Sequence, residues 1–321
     1  MKDLSKAAEV RRELVGEDSA GQRIDNFLLR ICKGVPKSHI YRILRSGEVR
    51  VNSKRAAPTY RLVAGDQIRI PPLRLPDSGA APPAIPLREF DIVYEDDVLI
   101  ALNKPAGLAV HGGSGVSYGV IEQLRRQRPE AKFLELAHRL DRETSGLLLL
   151  AKKRSALTAL HHMMREGEIE KHYLTLVKGR WMNPLQHVRL SLHKYLNEAG
   201  ERRVSVNTEG KAAHSIVRLL ARWENFSQLE VELKTGRTHQ IRVHLTHLGF
   251  PLCGDDKYGD FPLNKELHKI GLKRMFLHAA QLELKHPLSA ERLSFATPLP
   301  DDLRQFLTRV DMNEKRGYGA I

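Results

Sequence analysis

A proline-rich segment at residues 71–86 divides the chain and most constrains how it can fold. It reads PPLRLPDSGAAPPAIP, in which proline and small residues dominate and no apolar period continues. Such a composition predicts a stiffened linker rather than part of a packed core. The chain on either side of it must therefore fold by itself. We predict an N-terminal extension at 1–20, a small domain at 21–70, the linker at 71–86 and a large domain at 87–321.

The small domain shows two helical patterns followed by short strands. One helix face is formed by four apolar residues, Ile24, Phe27, Leu28 and Ile31. A second helix fits residues 38–46, with Ser38 as its N-cap and Gly47 as its stop. Alternating residues at 49–52 and 67–70 predict two strands. The sequence therefore predicts a compact two-helix unit completed by a few short strands.

Positive charge is concentrated in this small domain. The whole chain has 52 Lys and Arg against 38 Asp and Glu, a net charge of +14. Residues 21–61 contain ten Lys or Arg but only two acids, Asp25 and Glu48. Arg42 and Arg45 lie three residues apart on the outer side of the second predicted helix. A basic excess of this kind attracts polyanions, most often nucleic acid.

Four segments of the small domain form a recognisable set, RIDNFL at 23–28, KS at 37–38, GEVRVN at 47–52 and GDQIRI at 65–70. Together they resemble the S4 domain, an RNA-binding module of ribosomal proteins and RNA-modifying enzymes. The resemblance implies that four basic residues lie along the RNA backbone, namely Lys37, Arg42, Arg45 and Arg50. Such contacts position an RNA through its phosphates and do not read its sequence.

The large domain reads as many short strands with few helices. Strand patterns occur at 90–94, 98–102, 147–152, 173–177, 229–233, 282–284 and 293–295. Helical patterns occupy 155–165 and 238–248, and Gly249 ends the second. Strands follow strands with no regular helix between them, so we predict an α+β fold, a mostly antiparallel sheet flanked by helices. A hydrophobic content of 41% is enough to build its core.

One segment of the large domain carries a carboxylate beside two cations. HRLDRETSG at 138–146 places Asp141 between Arg139 and Arg142, directly before the apolar run at 147–150. Nearby positive charge favours the ionised form of a carboxylate, even when it is partly buried. An ionised carboxylate in a sheltered site can act as a nucleophile or a base. Taken alone, these residues fit a structural Arg–Asp pair at the start of a strand better than a catalytic group.

Four segments of the large domain stand out together, NKPAG at 103–107, HRLDRETSG at 138–146, KHY at 171–173 and KTGRTHQIRVH at 234–244. They resemble the pseudouridine synthase family, typified by the ribosomal large-subunit enzymes that carry an S4 domain. The resemblance runs from about Gly21 to about Pro298, with the segments in the same order. It implies an enzyme that isomerises specific uridines of large-subunit (23S) ribosomal RNA to pseudouridine without a cofactor.

The resemblance also implies roles for particular residues. Asp141 is the expected catalytic aspartate, and Tyr173 is the expected aromatic ring stacked on the target base. Arg237 is expected to pair with the aspartate, although the residues leave open whether Arg237 or Arg242 meets it. Arg139 is expected to fill the gap left by the extruded nucleotide. The sequence also leaves open whether Asp141 attacks C1′, adds at C6 or removes a sugar proton.

Other kinds of site fit the sequence less well. His239, His244 and His247 lie on one predicted helix, but their spacing is not HExxH and no Cys or acid accompanies them. We therefore predict no metal and expect these histidines to face RNA or cap the helix. No P-loop ending and no Rossmann fingerprint is present, which argues against a nucleotide cofactor.

Two other functions stay open. One is an RNA-binding or ribosome-assembly protein in which the large domain is structural and Asp141 is dispensable. The other is an S4-bearing methyltransferase, which would need a cofactor-binding loop that the sequence does not show. The length and specificity of the Asp141 segment favour the isomerase over both.

The sequence also predicts where the protein acts. Its two cysteines, Cys32 and Cys253, stand far apart in unlike contexts, as expected for the reducing cytoplasm. No apolar run approaches the ~20 residues that a membrane span requires, and the N-terminus has no signal-peptide core. We expect a cytoplasmic protein whose partner is ribosomal RNA, with no membrane association. Nothing resembles a coiled coil, so we expect a monomer.

Overall fold

The computed structural model describes residues 10–32, 34–35, 37–73, 88–112, 118–198 and 200–313. The chain divides into two compact units, Met1–Ala84 and Ile85–Ile321. The predicted linker at 71–86 lies outside the described residues from position 74 onward, as do residues 1–9 of the predicted extension.

The described part of the first unit combines two α-helices with a four-stranded antiparallel sheet. Its elements are α1 (Ile24–Ile31), α2 (Lys37–Ser46), β1 (Arg11–Leu14), β2 (Arg50–Val51), β3 (Lys54–Arg55) and β4 (Gln67–Ile70). The strands lie in the order β1-β4-β2-β3, and helices and strands share one apolar core. The predicted helix face is buried at Ile24, Phe27 and Leu28. Gly47 follows α2 with a φ of +76°, which ends the helix as predicted.

The edge strand β1 differs from the sequence prediction, which places residues 1–20 outside the small domain. It pairs antiparallel with β4, with Arg11 opposite Ile70 and Leu14 opposite Gln67. Its side chains are mostly exposed, so backbone hydrogen bonds hold the strand and no apolar alternation marks it in the sequence. The small domain therefore includes Arg11–Leu14.

The second unit is built on a mixed sheet of ten described strands, and two more strands form a small sheet of their own. The twelve described strands are β5 (Asp91–Glu95), β6 (Leu99–Lys104), β7 (Glu135–Leu136), β8 (Ser145–Ala151), β9 (Glu170–Lys178), β10 (Leu185–Arg189), β11 (Leu192–Leu196), β12 (Arg202–Val206), β13 (His214–Arg222), β14 (Phe226–Leu233), β15 (Leu277–Lys285) and β16 (Arg292–Ala296). Its helices are α3 (Val120–Gln127), α4 (Arg154–Glu166), α5 (Gln240–His247), α6 (Phe261–Lys269) and α7 (Asp301–Asn313).

The strand order confirms the predicted α+β fold. The sheet runs β10-β13-β14-β9-β15-β8-β6-β5, with β16 beside β15 and β7 beside β8, while β11 and β12 form a two-stranded sheet of their own. Neighbouring strands are antiparallel except β15 and β8, which are parallel. The sheet is therefore mostly antiparallel, as predicted.

Strand β8 is buried on both faces, which explains its four consecutive leucines. Leu148 and Leu150 belong to a core that includes residues of α3 and α5, whereas Leu147 and Leu149 belong to a second core that includes α4. A strand covered on both faces reads as a continuous apolar run instead of an alternation. The segment that leads into β8 is thus anchored at the centre of the unit.

The contact between β8 and β15 is very close at Gly146. This residue pairs with Ala279 and has a φ of +108°. A Cβ atom at Gly146 would lie 2.2 Å from the carbonyl oxygen of Ala279. Glycine is therefore required where these two central strands meet.

Candidate active site

A cleft of about 600 Å³ opens where the segment before β8, the start of β9 and the turn before α5 come together. Asp141 lies in it with 19% of its side chain exposed. The amide of Thr144 donates to the Asp141 carbonyl at 3.1 Å, which closes a turn just before the strand. The structure thus gathers three of the four segments singled out in the sequence around one carboxylate.

Arg242, on the buried side of α5, holds the Asp141 carboxylate. Its Nη1 donates to Asp141 Oδ2 at 3.0 Å. The rest of the guanidinium makes a two-pronged contact with Asp255, from Nε to Oδ2 and from Nη2 to Oδ1, both at 2.7 Å. A paired contact of this kind fixes the orientation of an arginine as well as its charge. Arg242 is therefore oriented by Asp255 toward Asp141.

The ion pair behind Asp141 keeps its charges. Burial alone raises the pKa of Asp255, but hydrogen bonds from Arg242 and from the amides of Lys257 and Tyr258 bring that pKa below its usual value. Burial alone lowers the pKa of Arg242, but Asp255 and Asp141 together raise that pKa above its usual value. Asp141 therefore faces a permanent positive charge.

His239 is a second neighbour of the carboxylate. It precedes α5 in the left-handed conformation, with a φ of +53°. Its Nδ1 lies 2.8 Å from the hydroxyl oxygen of Tyr258, and its Nε2 lies 3.8 Å from Asp141 Oδ2. Burial lowers the pKa of His239, against the opposing effect of the Asp141 charge. Burial therefore favours the neutral form of this imidazole.

His244 differs from the expectation that the histidines of this helix face RNA or cap it. It is fully buried, with Nδ1 3.1 Å from the Ser215 hydroxyl and Nε2 3.1 Å from the Leu190 carbonyl. It therefore ties α5 to the neighbouring sheet.

Over the whole described part of the chain, no group of three or more His, Cys, Asp or Glu residues could hold a metal ion. None of its helices is long and apolar enough to cross a membrane.

Tyr173 forms an apolar wall of the cleft. It lies on β9 with 7% of its surface exposed, next to Leu233, Ile241 and Leu277 along the lining. Burial, and then the charge of Asp141, raise the pKa of its phenol. The ring is therefore neutral, and it offers the flat surface that a base removed from its stack requires.

Two further groups fix the position of the Asp141 segment, one of them in the cleft lining. His138 Nε2 accepts from the amide of Leu149 at 3.1 Å, and burial lowers the pKa of His138 to about 4, so it stays a neutral acceptor. Lys104 is fully buried and comes from the NKPAG segment. Its ammonium donates to three carbonyls, those of Pro105, Leu108 and Arg142, at 2.8, 2.8 and 3.1 Å. Lys104 thereby joins that turn to the residue after Asp141.

The structure corrects the predicted pairing of Arg237 with the aspartate. Arg237 lines the cleft, but it is exposed and its Nε donates to the Ala212 carbonyl at 3.0 Å. It lies in the turn that precedes α5, whereas Arg242 lies within the helix on its buried side and reaches Asp141. Arg139 is exposed and lines the cleft beside Asp141. Neither predicted arginine contacts the carboxylate.

Asp255 is a functional residue that the sequence does not reveal; it is fully buried and orients Arg242. The sequence shows only that Asp255 and Asp256 are adjacent acids. It does not show which of the two side chains is buried. Asp256 has 83% of its side chain exposed, and its Oδ1 lies 3.6 Å from Arg242 Nη2.

The predicted RNA-binding residues of the first unit lie on α2 and directly after it. Arg42 and Arg45 are exposed and line a shallow concavity with Tyr41. The guanidinium of Arg45 lies 6.0 Å from the centre of the Tyr41 ring. Arg50 is exposed on β2. Lys37 is the first residue of α2, one position before the predicted cap, and its side chain lies outside the described part of the structure.

Comparisons with known proteins identify the family to which this chain belongs. The S4 domain matches residues 22–68, and the RNA pseudouridylate synthase family matches residues 98–247. Ribosomal large subunit pseudouridine synthase C of Haemophilus influenzae is 48% identical over 94% of this chain and 96% of its own length. The Escherichia coli protein of that name is 49% identical over 91% of this chain and 94% of its own. Human RNA pseudouridylate synthase domain containing 1 matches in structure with a TM-score of 0.57 and 25% identity, covering 71% of this chain and 89% of that one. The chain therefore belongs to the RNA pseudouridylate synthase family.

Proposed function

We propose that this protein converts specific uridines of large-subunit (23S) ribosomal RNA to pseudouridine, with Asp141 as the catalytic carboxylate. The reaction breaks the N1–C1′ bond, turns the uracil and joins C1′ to C5, while C5 loses its hydrogen and N1 gains one. One observation carries the proposal. The Asp141 carboxylate is held on Arg242 at 3.0 Å in the same cleft as the buried ring of Tyr173.

The contacts of Asp141 leave one carboxylate oxygen available for reaction. Arg242 and His239 both approach Oδ2. Within the part of the chain that the structure describes, no donor contacts Oδ1. Attack at C1′, addition at C6 and removal of a sugar proton would each use such an oxygen. Arg242 stabilises the carboxylate on the other side and fixes its direction.

The walls of the cleft suit a detached uracil better than a hydrolytic reaction. Tyr173 and its apolar neighbours hold a flat base, and the exposed Arg139 takes the place that the flipped nucleotide vacates. Hydrolysis of a glycosidic bond uses a second carboxylate to activate water. The next acid along the chain, Glu143, forms an ion pair with Arg142 at 3.4 Å. We therefore assign the chemistry to Asp141 and not to a pair of carboxylates.

The choice of RNA rests on the relatives and on the first unit. Relatives about half identical to this chain are named ribosomal large subunit pseudouridine synthase C. The S4 domain, with Arg42, Arg45 and Arg50 exposed, supplies contacts to phosphates. We expect the protein to act on that RNA as a monomer in the cytoplasm.

A hydrogen-release assay tests the proposal. Large-subunit ribosomal RNA is transcribed with uridine tritiated at C5, and isomerisation releases the tritium to water. The full chain is compared with Asp141→Asn, which keeps the shape of the side chain and removes its charge. We expect release by the parent protein and none by Asp141→Asn, with RNA affinity unchanged. Asp256→Asn, at the exposed acid 3.6 Å from Arg242 Nη2, is the matched control and should keep its activity.

Each other outcome would change the conclusion. Equal release by Asp141→Asn would remove Asp141 from the mechanism. Release only from small-subunit ribosomal RNA or transfer RNA would overturn the substrate. Tight RNA binding with no release from any RNA would favour a non-catalytic RNA-binding or assembly protein.

A further inference from the structure

Lys171 is a buried cation in the wall of the cleft to which the proposed reaction gives no role. It lies on β9 with 8% of its surface exposed, two residues before Tyr173 and on the same face of the strand. Both residues line the cleft. Its ammonium donates to the carbonyl of Ile169 at 3.0 Å. An ammonium has three donors, and one carbonyl uses only one of them.

The surroundings of Lys171 leave its charge poorly compensated. Burial lowers its pKa, and the nearby ammonium of Lys234 lowers it further, while Glu232 opposes both. The carboxylate of Glu232 is itself in contact with Lys234. Among the described residues, no carboxylate oxygen lies within ion-pair distance of Lys171. A buried cation of this kind gains stability from an anion brought by a ligand.

Two further cations line the cleft with Lys171. Arg165 comes from the last turn of α4, and Lys234 directly follows β14, the strand beside β9. The chain between Arg165 and Lys171 contains three acids, of which Glu168 is exposed and the other two lie near histidines. Glu166 lies 3.6 Å from His162, and Glu170 lies 3.9 Å from His172.

We infer that Lys171, with Arg165 and Lys234 beside it, forms a phosphate site that receives an RNA backbone phosphate next to the nucleotide bound at Tyr173. Residues two apart on a strand are separated by about 7 Å, a distance that fits a base and a phosphate of the same or the adjacent nucleotide. The site rests on the proposed function for its ligand. It lies wholly in the second unit and is additional to the basic residues on α2.

With this site the second unit binds the RNA backbone directly, without the first unit. A flipped nucleotide must be turned about its phosphates, which requires those phosphates to be fixed. The α2 residues belong to another unit of the chain, whereas Lys171 lies on the strand that carries Tyr173. We therefore expect Lys171 to contribute to binding of the substrate and not to the chemical step.

The test replaces Lys171 by methionine, which keeps the length of the side chain and removes its charge. For the full chain acting on large-subunit ribosomal RNA, we expect KM to rise about 10- to 100-fold, as for loss of a charged hydrogen bond, with kcat unchanged. The plot of log affinity against log salt concentration should become less steep, by the amount expected for the loss of about one phosphate contact. The exposed Arg165→Gln variant should change KM and the slope in the same direction. Lys178→Met, on the same strand but paired with Asp260 at 2.6 Å, is the matched control.

The outcomes separate this site from the proposed function. RNA binding is also measured in the Asp141→Asn protein, where the salt slope reports the phosphate contact whether or not uridine is isomerised. An unchanged KM and slope in Lys171→Met would overturn the site, as would the same change in Lys178→Met. A loss of kcat with KM unchanged would assign Lys171 to the chemistry instead. Thermal unfolding of each variant identifies any effect that comes from folding. Arg165→Gln tests the same site at an exposed residue, where a substitution does not disturb the core.

Discussion

Lys104 shows how one buried side chain can organise an active site without touching the reacting atoms. Its ammonium joins the turn after β6 to the carbonyl of Arg142, next to Asp141. Burial lowers the pKa of Lys104 to about 7, against the opposing charge of Glu143. In the unfolded chain the same lysine holds its proton to about pH 10.5. The two states therefore bind different numbers of protons over a wide range of pH.

This difference predicts a pH-dependent stability. Between about pH 7 and pH 10.5 the unfolded chain holds a proton on Lys104 that the folded protein has lost, so the free energy of unfolding rises with pH across this window. For one proton the rise is at most about 1.4 kcal/mol per pH unit. Lys104→Met should remove this slope, whatever it does to the absolute stability. Urea unfolding at a series of pH values measures it, with the exposed Lys194→Met as control. Parallel curves for parent and Lys104→Met would contradict the assignment.

The residues of the site differ in how far sequence could predict them. Asp141 and Tyr173 lie in segments whose pattern marks them, and the structure brings both into one cleft. The sequence leaves the partner of Asp141 open between two arginines, because their positions in the turn or in the helix depend on where α5 begins. Asp255 could not be predicted, since its role depends on a turn that returns to α5 in three dimensions. Local sequence pattern therefore identifies the candidate residues Asp141 and Tyr173. The residues that position them are identified only by the packing of distant segments.

At the scale of elements, predicted and observed boundaries differ where side chains compete with the helix. The sequence predicts a helix at 238–248, whereas α5 spans Gln240–His247. Gln240 accepts from the amide of Arg237 and from the hydroxyl of Thr235, which holds the preceding residues in a turn. The apolar run of β8 predicts a strand, but not its parallel partner, because β15 lies more than a hundred residues away along the chain. Periodicity specifies elements, and distant backbone contacts specify their pairing.

The parallel contact between β8 and β15 gives an element-scale prediction at Gly146. Its φ of +108° and the Ala279 carbonyl 2.2 Å from any added Cβ leave no room for alanine. Gly146→Ala should lower the free energy of unfolding by about 3 kcal/mol or more, from strained backbone and displacement of β15. The matched control is Gly236→Ala in the cleft, where an added Cβ meets nothing within 4 Å. Chemical denaturation measures both, and an equal, small effect at the two positions would show that the strands can separate without cost.

At the scale of the molecule, we propose that RNA binding and chemistry are divided between the two units. The first carries the basic excess of residues 21–61, and the second carries the cleft with its own cations. The proline-rich composition of 71–86 is enough to predict this division, because no apolar period continues through it. It could not predict that Leu73, at its start, packs against the core of the first unit. Nor could it predict that β1 belongs to the first sheet, since an exposed edge strand leaves no apolar pattern.

Deletion of residues 1–86 tests that division. The remaining chain keeps every residue of the cleft and its own core clusters, so we expect it to fold cooperatively and to isomerise uridine in a short RNA. Its affinity for whole large-subunit ribosomal RNA should fall, with a smaller dependence on salt, because the phosphate contacts of the first unit are lost. The full-length double variant Arg42→Gln, Arg45→Gln should show part of the same loss of affinity and of salt dependence. Its activity on the short RNA should be unchanged. If the truncated chain failed to fold, or lost all activity on the short RNA, the first unit would be part of the catalytic structure, and binding could not be separated from chemistry along this chain.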